Sequence, residues 1–155
     1  MTKLQPQRTR FELKAIVGLL LAIVVTGAFV GASSAAKAGS APRSGALHVT
    51  KECSEHTGLA FSFCTITSSN VKPLTAGSKV VYLQAAGASS LDSDIVIVVG
   101  PGQFALCHVT LDFATGTGKL TISGGIGQFR SFHAKADVSY LGGPDFAWDG
   151  KYRFG

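Results

Sequence analysis

Between Leu47 and Phe154 the chain is cut at short intervals by Gly, Pro, Asn, Asp and Ser, and no piece left between the cuts carries a helical stripe. Segments this short, rich in Val, Ile, Thr and Phe, build strands. The spacing predicts strands near 47–51, 59–68, 79–85, 94–99, 104–113, 119–123, 129–141 and 147–154. The connections leave no room for helical crossovers, so neighbouring strands pair antiparallel. The expected fold class is all-β.

Period-two alternation tells the faces apart. After Gly102, the residues Ala105, Cys107, Val109, Leu111 and Phe113 share one side, and Phe104, Leu106, His108, Thr110 and Asp112 the other. After Gly127, Arg130, Phe132, Ala134, Ala136, Val138 and Tyr140 oppose Phe129, Ser131, His133, Lys135, Asp137 and Ser139. One apolar and one polar face per strand suits an antiparallel β-barrel of about eight strands, with room inside for side chains or one small ligand. A sandwich is the alternative.

The segment Gly118–Phe129 leads from a strand into Gly124-Gly125-Ile126-Gly127-Gln128-Phe129. This Gly-Gly-x-Gly-x-Phe corner resembles a recurring element of the allene oxide cyclase and dirigent protein barrels. The resemblance covers residues 79–141 well and the rest loosely. The closing Gly142–Gly150 segment is similar to secreted bacterial relatives of these barrels. The likeness implies a barrel held at its corner by Gly124, Gly125, Gly127 and Phe129, a fold found as dimers or trimers. It also implies an apolar interior that binds a fatty-acid epoxide or a radical, with carboxylates assisting. The glutamates beyond the leader are Glu52 and Glu55, near the start of the fold.

The N-terminus governs location. Lys3, Arg8, Arg10 and Lys14 precede an uncharged, mostly apolar run from Ala15 to Ala32, and Ala32-Ser33-Ser34-Ala35-Ala36-Lys37-Ala38 follows. These are the parts of a secretory signal. The run's length also suits an uncleaved membrane anchor helix. Residues 1–38 are therefore expected to be a signal peptide or anchor, 39–46 a flexible linker, and 47–155 the barrel. The protein is expected outside the cytoplasm, secreted or held outward-facing on the membrane, and any membrane contact runs through residues 15–32. The whole chain has 14 basic and 9 acidic residues. Residues 1–38 hold five of the bases and one acid, so nine bases and eight acids remain. A near-neutral domain lacks the electrostatic footprint of a nucleic-acid binder.

His108-x-x-x-Asp112 and His133-x-x-x-Asp137 are the candidate catalytic residues, because i and i+4 share a strand face and a pair of them could do acid–base work. The alternative is a solvated polar face. The two members of each pair stand about 13 Å apart along the strand, too far to share one metal. No zinc spacing, phosphate loop or dinucleotide fingerprint is present, and no metal or cofactor is expected. Of three cysteines, Cys53 and Cys64 are the expected disulfide, closing a loop of ten residues, with Cys107 a buried thiol; the other two pairings stay open. Trp148, Tyr152 and Phe154 are expected in the core or barrel wall.

Three functions fit: a secreted barrel that binds a small apolar ligand or a partner without catalysis, an isomerase of the allene oxide cyclase type, or a membrane-anchored structural domain. The first is the reading adopted here. Cleavage is expected between Ala32 and Gly39. The intact mass of the exported protein checks this; a membrane-bound product beginning at Met1 or Thr2 favours the anchor.

Overall fold

The computed structural model describes residues 43–155. The expected signal or anchor helix in 1–38, and the linker up to Pro42, lie outside the described residues. Eight strands follow one another: β1 (Ser44–Glu52), β2 (Phe63–Ser69), β3 (Lys79–Tyr82), β4 (Ser90–Gly100), β5 (Gln103–Asp112), β6 (Thr117–Ile126), β7 (Phe132–Gly142) and β8 (Asp145–Phe154). Each pairs antiparallel with the next, and β8 pairs with β1 to close the barrel. Closure gives every strand a neighbour on each side, so the sheet has no edge strand. Residues 43–155 carry their own core within one compact unit.

Several strands differ at their ends from the pattern in the sequence. Ser44–Ala46, read as linker, already pair with Lys151–Arg153. Leu59–Ser62, read as the start of β2, form a turn in which the Ser62 hydroxyl donates to the Leu59 carbonyl. Gly127–Phe129 form a 3-10 turn before β7. Glycine and an aromatic at a corner satisfy a strand pattern as well as a turn does, so periodicity alone does not separate them.

The buried side of each strand fills the barrel. Leu47 and Val49 of β1 meet Ile95 and Ile97 of β4, Val109 of β5, Leu120 and Ile122 of β6, Val138 of β7 and Trp148 of β8 in one core. An up-and-down barrel alternates its connections between two ends. One end carries the β2–β3, β4–β5 and β6–β7 connections and is plugged by aromatics. Phe129 is fully buried there, edge-on to Phe132 at 5.8 Å, and Phe132 packs on Phe154 at 5.1 Å. The other end carries the β1–β2, β3–β4, β5–β6 and β7–β8 connections.

The Gly124–Phe129 corner works by close approach and by backbone sign. A Cβ on Gly125 would collide with the Phe104 carbonyl oxygen and come within 2.8 Å of the Ala105 Cα, both backbone atoms that cannot swing away. Gly127 has φ of +68°, where a side chain is strained, but the neighbour its Cβ would meet is the mobile end of Gln103. We expect Gly125→Ala to lower the melting temperature more than Gly127→Ala, which should cost about 1–3 kcal/mol. Phe129→Ala should cost about 3–5 kcal/mol by leaving a cavity at the plugged end. Thermal melts of the three variants check the order. A Gly127 variant that melts below the Gly125 variant would make backbone sign the dominant constraint.

Candidate functional site

The alternation Leu47, Val49, Lys51 in β1 carries a lysine to the barrel interior. Lys51 is 4% exposed. Its Nζ donates to the Tyr82 hydroxyl of β3 at 2.8 Å, and lies 4.6 Å from the ring centre of Phe146 and 5.6 Å from that of Trp148, both on β8. These rings offer the cation their electron-rich faces. Among the described residues no carboxylate pairs with it. Burial without a counter-charge favours the neutral amine and pulls the Lys51 pKa down from 10.5 to about 7. The same burial pushes the Tyr82 hydroxyl up, so it stays protonated and able to donate.

Cys53 and Cys64 form a disulfide beside this amine. Lys51 Nζ is 3.1 Å from Cys53 Sγ and 3.4 Å from Cys64 Sγ. The bridged connection folds His56 edge-on against Tyr82, with ring centres 4.4 Å apart. Desolvation, and then the Lys51 charge, hold the His56 pKa below its usual value. Two buried nitrogens in this region, His56 Nε2 and Trp148 Nε1, have no hydrogen-bond partner. A buried polar atom left unpaired is a cost that a native fold seldom carries without reason.

The connections around the same end carry exposed apolar side chains. Leu59 and Phe61 project from the β1–β2 connection, 68% and 73% exposed, and Leu83, Phe113, Tyr140 and Leu141 stand exposed on or beside the other three connections. Among the described residues Phe61 is the non-glycine residue with positive φ, at 66°, a conformation that a bulky side chain rarely holds. The Lys51 end therefore combines polar hydrogens inside with an apolar rim outside.

The sequence-derived candidates lie elsewhere. His108, Asp112, His133 and Asp137 all sit on the outward face of β5 and β7. His108 stands between Asp94, at 3.0 Å, and Asp92, at 3.3 Å. Asp112 accepts from the backbone amides of Ala114 and Thr115 and caps the β5–β6 turn. Asp137 pairs with Lys119. His133 and Asp137 line a groove of about 980 Å³ on the outer wall over β6–β8, with Lys135, Lys151 and Arg153. None of the four enters the barrel, and His133 and Asp112 lie toward opposite ends. Cys107 is a buried free thiol whose pKa is raised by desolvation. Trp148 is fully buried in the core.

The sequence reading passed over Lys51, Tyr82 and His56. The period-two pattern contains the signal for Lys51, because Leu47 and Val49 are apolar and Lys51 continues their register. Among the described residues no cluster of His, Cys, Asp and Glu could hold a metal. No family model, no curated protein and no solved structure matches the chain.

The Lys51 pKa has a consequence for stability. Unfolded, Lys51 keeps its proton to about pH 10.5; folded, only to about 7. Between these values the unfolded chain binds more protons, so stability rises with pH by up to about 1.4 kcal/mol per unit. Tyr82, held protonated by the fold, opposes this rise only above pH 10. We expect Lys51→Met to flatten the slope and to be more stable than the parent at pH 6. Urea melts from pH 6 to 10 check it; a parent protein with no gain above pH 7 would mean the amine is solvated.

Proposed function

We propose that the protein is an exported barrel that binds a small, largely apolar molecule at the Lys51 end, without changing it chemically. The observation that carries this reading is the buried lysine without a carboxylate partner. The Lys51 ammonium and the Tyr82 hydroxyl, with Trp148 Nε1 unpaired in the same end, form a set of hydrogen-bond donors, and the unpaired His56 Nε2 joins it in the tautomer that carries its proton there. Such a set suits an accepting head group, a carbonyl or a carboxylate, and the rim of Leu59, Phe61, Leu83, Phe113, Tyr140 and Leu141 suits an apolar tail. Export is supported by the N-terminal signal pattern and by a disulfide, which persists in oxidising compartments. Membership of the allene oxide cyclase and dirigent superfamily is part of this proposal, supported by the glycine corner and the eight-stranded closure.

A second reading rests on one contact. Lys51 and Tyr82 place a base and an acid 2.8 Å apart in apolar surroundings, as an isomerase acting on an epoxy fatty acid would require. Turnover of such an epoxide that is lost in Lys51→Met would favour it over simple binding.

Trp148 is the one tryptophan of the chain, so its fluorescence reports on this end directly. Titration with decanoate should change its emission saturably. Decylamine, which offers ammonium donors to a set of donors, should not. Lys51→Met should weaken decanoate binding about 10-fold or more. A parent protein with no saturable response to decanoate, decanal or decanol would sink the binding reading.

A further inference from the structure

The contact between Lys51 and the disulfide carries a reaction that ligand binding does not use. A disulfide sulfur is a poor acceptor, yet the amine lies within 3.4 Å of both. The two sulfurs differ in access: Cys64 is 1% exposed, while Cys53 is half-buried at the start of the surface connection. A thiolate arriving from solvent meets Cys53 first. The sulfur that then leaves is Cys64, enclosed beside Lys51 Nζ and 3.4 Å from the Tyr82 hydroxyl.

We propose that the Cys53–Cys64 bridge is a thiol-exchange site for low-molecular-weight thiols, in which Lys51 supplies the proton to the departing Cys64 sulfur. The attacking thiolate forms a new S–S bond to Cys53 Sγ as the Cys53–Cys64 bond breaks. The bonding pair goes to Cys64 Sγ, which takes a proton from the Lys51 ammonium. A second thiolate attacks the small-molecule sulfur of the mixed disulfide, and the new S–S bond forms as the bond to Cys53 Sγ breaks. The bonding pair goes to Cys53 Sγ, and solvent protonates it and restores the Lys51 ammonium. Two thiols are thereby oxidised to one disulfide while the bridge is reduced to two thiols. A leaving sulfur with a neighbouring cation departs faster.

The connection between the two cysteines is built to respond. It holds Phe61 at positive φ, and beyond the bridge it is pinned by the Cys53 amide on the Pro144 carbonyl, the Phe61 amide on the Tyr82 carbonyl and the Ala86 amide on the Gly58 carbonyl. Exchange at Cys53 frees one end of the segment that lays His56 over Tyr82. The inference stands apart from the ligand reading, because its test needs no ligand.

The test follows bridge reduction by glutathione, quenched by alkylation and read by mass, from pH 5.5 to 9. Rates are divided by the glutathione thiolate concentration. The titratable groups beside the reacting sulfurs are Lys51 of β1, Tyr82 of β3 and His56 of the connection, with Glu52 and Glu55 flanking Cys53 at the surface; β8 brings Phe146 and Trp148. With Lys51 as the acid, the corrected rate is level below about pH 7 and falls about tenfold per unit above it. Lys51→Arg keeps its charge and should remove the fall; Lys51→Met should be flat and at least tenfold slower than the parent at pH 6. The mixed disulfide should map to Cys53. A parent rate independent of pH from 6 to 9, a Lys51→Met rate equal to the parent's at pH 6, or glutathione found on Cys64 would each overturn the proposal. The parent profile decides even if a variant fails to fold.

Discussion

The ladder between β1 and β8 joins Ser44–Glu52 to Arg153–Asp145 without a register break, and the rest of the molecule depends on it. An open sheet of eight strands would leave two edges wanting partners and could turn either face to solvent. Once β8 closes on β1, there is one inside, and alternation leaves each side chain no choice of face. That is how a lysine comes to lie in the core. Lys51 cannot turn outward without carrying Leu47 and Val49 out with it, which would discard far more apolar burial than the amine loses in hydration.

Most of the fold was legible in the chain because closed barrels are written in period two. The faces assigned to β5 and β7 from Ala105–Leu111 and Phe132–Val138 are the faces buried in the structure. The ends were less legible. Leu59–Ser62 and Gly127–Phe129 have strand-like composition but turn, because a bridged connection and a glycine corner decide their path, and neither is a matter of propensity. The Cys53–Cys64 bridge is the pairing that its short loop favoured, although the sequence left the other two pairings open.

The site was less legible than the fold, for a definite reason. Ionisable residues are conspicuous in a sequence where they share a polar strand face, as His108, Asp112, His133 and Asp137 do. Those faces are polar because water covers them. The unusual group lies where the pattern is apolar: Lys51 interrupts a hydrophobic register, and its partners Tyr82, Phe146 and Trp148 read as ordinary core. A charged residue in phase with buried neighbours is a better pointer than a pair of ionisable residues in phase with each other. The proximity of Phe146 and Trp148 to Lys51 depends on strands at opposite ends of the sequence, and only closure brings β8 against β1.

An even number of strands in an up-and-down barrel brings the first and last strands out at the same pole. Ser44 lies directly across from Arg153, and both stand at the end sealed by Phe129 and Phe132. The backbone enters β1 at the sealed pole, and the rim around Lys51 lies at the opposite pole of the barrel. Joining the two termini by a short peptide, and opening the chain at another connection of the sealed pole, would change the order of the strands along the sequence but not the face it shows.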